Sequence, residues 1–145
     1  MAVTITTAGP DDAERLTEAL VGLVPQLSRS NPPPPLEAVR AMLAHEAITQ
    51  FLAVDDDGAI VGVSTLAVFP IPTGKRAWIE DVIVDRAVNG QGIGRRLTEA
   101  MLDRARELGC VTVDLTSRPS REAANALYRK VGFEPRETNV YRYQL

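Results

Sequence analysis

The sequence is short of the residues that usually staple small proteins together. It holds a single cysteine, Cys110, so no internal disulfide can form, and a reducing cytoplasm is the compartment that fits. With one histidine, His45, beside that one cysteine, the usual structural zinc clusters are excluded and no metal is expected. No apolar run approaches the ~18 residues that a membrane helix needs. The N-terminal stretch MAVTITTAGPDDAERL lacks a basic segment followed by an apolar one, so it is not read as a signal peptide. An excess of positive charge is also missing: the formal net charge is −3, and nothing favours nucleic acid as a partner. Repeats, low-complexity segments and linkers are lacking as well. The chain therefore reads as one domain, 1–145, long enough for a single well-packed core.

What is present has the periodicity of an α/β protein. Val3–Thr7 reads as a strand. A helix follows, opened by Pro10 and Asp11 with Glu14 close to a capping-box position, and carrying Leu16, Leu20, Leu23 and Val24 on one face. Asn31–Pro35 must be extended, because consecutive prolines exclude a helix. Leu36–Ala47 is a second, short helix with Leu36, Val39, Met42 and Leu43 on one stripe. Gln50–Val54 and Ala59–Phe69 read as strands joined by the turn DDDG, with a loop PIPTGKR before a further strand, Ala77–Val84. Ile93, Leu97, Met101, Ala105 and Leu108 keep helical spacing. Val111–Leu115 reads as a strand, SREAANALYRKVGF as a helix ended by Gly132, and Val140–Leu145 as a closing strand. The order β-α-α-β-β-β-α-β-α-β predicts one mixed sheet with helices on its faces.

Between the strand at Ala77–Val84 and the next helix stands VDRAVNGQGIGRRL, with Gly90, Gly92 and Gly94 on alternate positions. Glycines so spaced leave backbone amides accessible, and a helix N-terminus directly after them is a ready anion site. A plain connecting turn is the simpler alternative, but Arg95 and Arg96 in the first helical turn oppose the helix dipole unless an anion is near. A nucleotide P-loop counted from Gly90 needs its second glycine where this chain has Arg95, so that reading fails. The dinucleotide pattern G-x-G-x-x-G would place its third glycine at Arg95 or Leu97, and too little chain follows for the remaining βαβ half.

The segment Asn89-Gly90-Gln91-Gly92-Ile93-Gly94 resembles the pyrophosphate loop [QR]-x-x-G-x-[GA] of the GNAT superfamily of N-acetyltransferases. Asn89 departs from the pattern, which has Arg or Gln there, so one long side-chain contact is lost. TITTAGPDDAERLTEAL is similar to that family's first strand and helix, WIEDVIVD to its cofactor-binding strand, and Ala124–Phe133 to its C-terminal motif AxxLYxKxGF. The likeness thus covers nearly the whole chain. It implies a mixed, mostly antiparallel twisted sheet with a splayed central strand pair that holds acetyl-CoA as co-substrate. By resemblance, the backbone from Gly90 to Arg95 would hold the coenzyme A pyrophosphate, and Val82, Ile83 and Val84 would pair with the pantetheine arm as an added strand does.

Amine acetylation needs a deprotonated nucleophile, a stabilised oxyanion and a proton for the leaving thiolate. Tyr128 matches the family's tyrosine that protonates the thiolate, although it also lies on the apolar stripe of Ala124, Leu127 and Val131. Asn125, three residues earlier, is a polar amide on a neighbouring part of that face and requires a partner; the family's asparagine bonds the pantetheine arm. Glu80 and Asp81 are adjacent carboxylates in mid-strand, where acids are disfavoured. Glu80 is the expected base, with Asp81 or a water chain as alternatives and a salt bridge to Arg76 as the structural reading. Strict alternation puts Trp78, Glu80 and Val82 on one face and Asp81 on the other, unless a bulge intervenes. Cys110 at a strand start is expected to be a small buried apolar group, and direct ternary-complex transfer needs no acyl-enzyme. The acceptor is an amine of a small molecule or peptide. The Pro-rich 31–35 loop and the C-terminal Arg136, Tyr141 and Arg142 occupy acceptor-lining positions by resemblance, which also implies a homodimer paired through C-terminal strands. A non-catalytic acyl-CoA-binding module is the alternative function.

Overall fold

Stretches of alternating and β-branched residues build a five-stranded sheet among residues 2–145, the part of the chain that the computed structural model describes. The strands are β1 (Val3–Thr7), β2 (Ile48–Asp55), β3 (Ile60–Ile71), β4 (Gly74–Val84) and β5 (Thr112–Asp114), and they lie in the sheet in chain order. Neighbours from β1 to β4 run antiparallel, while β4 and β5 run parallel. The helices are α1 (Ala13–Leu27), α2 (Leu36–Ala44), α3 (Ile93–Glu107) and α4 (Glu122–Val131). Packing divides the chain into two compact units, Met1–Leu115 and Thr116–Leu145.

Register assigns the faces of the first unit. Leu52, Val63 and Ile83 are partners across β2, β3 and β4, and they share a buried cluster with Leu16, Leu20 and Leu23 of α1 and Val39 of α2. The opposite face carries Ala53 and Gly62, and there the sheet meets α3. A Cβ on Gly62 would come within 3.2 Å of the Ile83 carbonyl and 3.4 Å of Leu97 Cδ1, so a side chain there would have to push its neighbours back by a few tenths of an ångström. Leu97 and Met101 of α3 are wholly buried, and truncating either would cost about 2–5 kcal/mol.

Several boundaries differ from the sequence reading for identifiable reasons. The expected loop at PIPTGKR is mostly strand: Pro70 pairs with Lys75 and Ile71 with Gly74, leaving Pro72 and Thr73 as the turn. A proline removes only one ladder amide, which a hairpin tip tolerates. At the start of α1 the capping carboxylate is Asp12, which accepts from the Gly9 amide at 2.7 Å, and not Glu14. Helix α2 stops at Ala44, where His45 Nδ1 accepts from the Ala47 amide at 3.1 Å and leads the chain into β2. Cys110 is half-buried, not buried. The DDDG turn forms as expected, with Asp55 Oδ1 accepting from the Asp57 and Ala59 amides at 2.9 Å.

In the second unit α4 ends at Gly132, whose φ of +122° and bonds to the Tyr128 and Arg129 carbonyls make the anticipated C-terminal cap. The closing strand expected at Val140–Leu145 is not formed, and Tyr141 and Tyr143 are each 88% exposed. Alternation supplies strand propensity but not a ladder partner, and an unpaired extended segment has no stability of its own.

Candidate active site

Strand β4 is the spine of the site in the first unit. Its parallel pairing with β5 runs only from Arg76↔Thr112 to Trp78↔Asp114. From Ile79 to Val84 no strand pairs with β4 on that side among the described residues, so the main chain of Val82, Ile83 and Val84 has no ladder partner there. An extended amide-bearing chain can add there as a strand would. This is the splayed pair that the family resemblance implies.

A β-bulge interrupts β4 at the same level. Partners pass from Val63↔Ile83 to Thr65↔Glu80, so two residues of β4, Asp81 and Val82, oppose Ser64 alone on β3. Asp81 absorbs the extra residue with φ +47°, a left-handed conformation that aspartate tolerates better than most side chains. The bulge overturns strict alternation. Glu80 now shares a face with Trp78 and Ile83, on the side of α1 and α2, and Val82 belongs to the bulge. Partial burial first, then the neighbouring Asp81 carboxylate, pushes the Glu80 carboxyl above its usual range. The salt bridge to Arg76 is not made. Arg76 donates instead to Thr73 Oγ1 at 2.9 Å and to Thr112 Oγ1 at 3.0 Å.

Two polar side chains that the sequence reading passed over support this stretch. Gln50, buried in β2, donates through Nε2 to the Ser64 carbonyl at 2.9 Å and accepts at Oε1 from Thr65 Oγ1 at 2.7 Å. A polar residue inside an apolar strand was the available signal, and only the register reveals its partners.

The glycine loop is anchored before it begins. A turn of 3-10 helix at Arg86–Val88 is capped by Asp85, whose Oδ1 accepts from the Ala87 amide at 3.1 Å. Gln26 of α1 accepts from the Arg86 amide at 2.9 Å and fixes the loop against the helix. Gly90 and Gly92 have φ of +84° and +72°, and a Cβ on either would meet nothing within 4 Å, so conformation and not crowding demands glycine. Helix α3 begins at Ile93, and Arg96 is the first residue whose amide bonds back, to the Gly92 carbonyl at 3.1 Å. The amides of Ile93, Gly94 and Arg95 are thus the helix's unpaired N-terminal donors, and they attract an anion. The Ile93 side chain itself is core. Arg95 and Arg96 find local partners that weaken the argument drawn from their charge: Arg95 pairs with Glu99 at 2.7 Å, and Arg96 donates to the Val3 carbonyl at 2.7 Å.

The second unit holds the other two expected residues, one turn apart on α4. Tyr128 is 7% exposed, and Phe133 meets its ring edge-on at a centroid distance of 5.8 Å. Burial raises the Tyr128 hydroxyl above the ordinary phenol range, with Arg121 opposing, so the phenol keeps its proton at neutral pH. Asn125 has the partner that a buried-face amide requires: its Nδ2 donates to the Arg118 carbonyl at 2.9 Å, leaving Oδ1 to accept.

An open hollow of about 510 Å³ lies elsewhere in the first unit, where Thr7 and Phe51 face Ala100, Arg104 and Glu107. It adjoins the C-terminal half of α3, whereas the glycines adjoin the N-terminal end, and none of the expected residues lines it. Among the described residues no three His, Cys, Asp or Glu side chains gather as a metal site, and no helix is long and apolar enough to cross a membrane.

Comparison with known proteins places this geometry in context. Residues 18–133 match the profile of the acetyltransferase (GNAT) family. Glucosamine 6-phosphate N-acetyltransferase 1 of rice (Oryza sativa subsp. japonica) is 30% identical over 92% of this chain and 84% of its own. The aminoglycoside N(6')-acetyltransferase type 1 of Stenotrophomonas maltophilia is 31% identical over 97% of this chain and 92% of its own. Among solved structures, an acetyltransferase described from Agrobacterium tumefaciens superposes with a TM-score of 0.83 at 28% identity, over 97% of this chain and 99% of its own.

Proposed function

This chain is a member of the GNAT acetyltransferase family, and on that premise we propose that it moves an acetyl group from acetyl-CoA to a primary amine by direct transfer in a ternary complex. The observation that carries the reading is the free edge of β4 at Val82–Val84, followed in the chain by the unpaired amides of the glycine loop. A coenzyme A molecule has a peptide-like pantetheine arm for the first and a pyrophosphate for the second. Gly90, Gln91, Gly92 and Gly94 let the backbone reach the phosphates, and Asn89 contributes less than the Arg or Gln of the family pattern would. Asn125 Oδ1 remains to accept from the pantetheine amides.

In this proposal Glu80 takes the proton from the acceptor ammonium, directly or through water, and frees the nitrogen lone pair. The lone pair attacks the thioester carbonyl carbon, the carbon–sulfur bond breaks, and the thiolate takes a proton from Tyr128. The second proton of the attacking nitrogen passes through water to the tyrosinate and restores the phenol. The raised Tyr128 hydroxyl keeps that proton available, and the raised Glu80 carboxyl makes a stronger base than an ordinary carboxylate. The names of relatives point to amino sugars, aminoglycosides and peptide N-termini as acceptor classes. The exposed Val140, Tyr141, Tyr143 and Leu145 support pairing with a second copy into a homodimer. The lone Cys110 supports a cytoplasmic location.

Initial rates varied against both substrates test the kinetic order. Direct transfer predicts intersecting reciprocal plots. Parallel lines would show an acyl-enzyme and remove Tyr128 and Glu80 from these roles.

A further inference from the structure

Gln50 is 4% exposed in the middle of β2, where an apolar residue would cost nothing to bury. Its partners explain the amide. The bulge leaves Ser64 without a register partner on β4, and the Ser64 carbonyl accepts from Gln50 Nε2 at 2.9 Å. That bond fixes the amide's direction, because only its nitrogen end can donate. The oxygen end therefore faces Thr65, and since Oε1 only accepts, the bond of 2.7 Å consumes the single hydroxyl proton of Thr65. Thr65 is left with lone pairs for any other neighbour.

Its register partner across the next ladder is Glu80, on the same face as Gln50 and Thr65. Directly opposed residues have Cβ atoms about 4.5–5.5 Å apart; Thr65 and Glu80 make no direct side-chain bond, and that separation is short enough for one bridging water. A hydroxyl whose proton is already given can accept from a neutral carboxyl but cannot donate to a carboxylate. We propose that Gln50 is a positioning residue for Glu80: through the Thr65 hydroxyl it decides whether the carboxyl finds an acceptor or a donor beside it. Burial and Asp81 push Glu80 in the same direction. Other charges around this face are engaged elsewhere. Arg76 is held by Thr73 and Thr112, Glu14 of α1 pairs with Arg40 of α2 at 3.6 Å, and Arg15 with Asp12 at 2.8 Å; Asp114 of β5, in register with Trp78, is the exception, a carboxylate with no side-chain bond or ion pair among the described residues. The consequence for catalysis rests on the reading of Glu80 as the base.

The test follows the Glu80 carboxyl carbon by NMR through a pH titration of the full chain, with Glu80→Gln assigning the signal. Gln50→Met keeps the bulk of the side chain but frees the Thr65 proton to turn toward the carboxylate. The Glu80 midpoint should then fall by about half to one pH unit. In a Thr65→Val background there is no hydroxyl to turn, so adding Gln50→Met should leave the midpoint where Thr65→Val alone puts it. An unmoved midpoint in Gln50→Met, or equal falls in both backgrounds, would overturn the proposal. If the midpoint falls while the acidic limb of kcat/KM stays in place, Gln50 has the proposed role and the base reading of Glu80 fails. Should Gln50→Met not fold, the wild-type chain decides. A slowly exchanging Thr65 hydroxyl proton with a cross peak to the Gln50 amide supports the relay, and exchange at the solvent rate overturns it.

Discussion

Trp78 of β4 stands in register with Asp114 of β5, and theirs is the last pair that the two parallel strands make. Beyond it β4 continues for six residues, Ile79–Val84, through the bulge to the start of the glycine loop. One strand thus carries an acid, an edge without a ladder partner and the approach to the glycine loop. Each can be probed separately.

The loop predicts opposite effects for two substitutions. Gly92→Ala forces a side chain into φ +72° and should cost about 1 kcal/mol of stability while weakening coenzyme A binding. Asn89→Arg restores the long side chain of the family pattern and should tighten coenzyme A about tenfold, as expected for one charge-assisted phosphate contact. Titration calorimetry with coenzyme A reads both. Unchanged affinity in both variants would move the phosphates away from this loop.

Glu80→Gln should lower kcat/KM at neutral pH by about 10²-fold or more and abolish the acidic limb of the pH profile. In the wild type the base must be ionised, so activity is lost as pH falls through its raised pKa. Asp81→Asn removes the second cause of that elevation, and the limb should move to lower pH. Stability runs the other way. A carboxyl whose pKa is raised by folding favours the folded state below its unfolded value, and that advantage is lost as pH rises through the folded pKa. Glu80→Gln should therefore leave the melting temperature at neutral pH equal or higher, as differential scanning calorimetry would show.

Tyr128→Phe removes one hydroxyl and preserves the edge-on packing with Phe133. Turnover should fall by about 10²–10⁴-fold, the usual scale for losing a general acid, while thermal stabilisation by coenzyme A stays nearly unchanged. Unchanged turnover would return Tyr128 to the apolar stripe as a core residue.

The exposed C-terminal segment predicts a concentration-dependent assembly. Light scattering of the full chain should give twice its mass of 15.7 kDa, and removal of residues 140–145 should give a monomer. A monomer at all concentrations of the full chain would remove the dimer from the account.

Much of this was legible where the signal is local. Stripes such as Leu16, Leu20 and Leu23, the DDDG turn and the glycines at 90 and 92 announce themselves because helices, turns and left-handed residues have short-range requirements. The closing strand at Val140–Leu145 failed because alternation cannot supply a neighbour to pair with. The bulge at Asp81 was invisible because it exists only as a mismatch between two strands. Glu80 and Trp78 share a face as alternation predicts, but the bulge puts Ile83 there in place of Val82. The bond between Gln50 and Thr65 was equally hidden, since both depend on which residues the register brings opposite. Arg95 and Arg96 looked like unopposed charge because the lateral reach to Glu99 and Val3 is not written in the loop.

The most direct measurement follows free thiol released from acetyl-CoA by the purified chain in a pool of amines. The pool holds polyamines, amino sugars and their phosphates, amino acids, aminoglycosides and short peptides. The account predicts release above the amine-free blank, greatly reduced in Glu80→Gln, with subdivision of the pool naming the acceptor class. No release from a sample that coenzyme A does stabilise would contradict it, and would leave a module that binds acyl-CoA without transferring the acyl group.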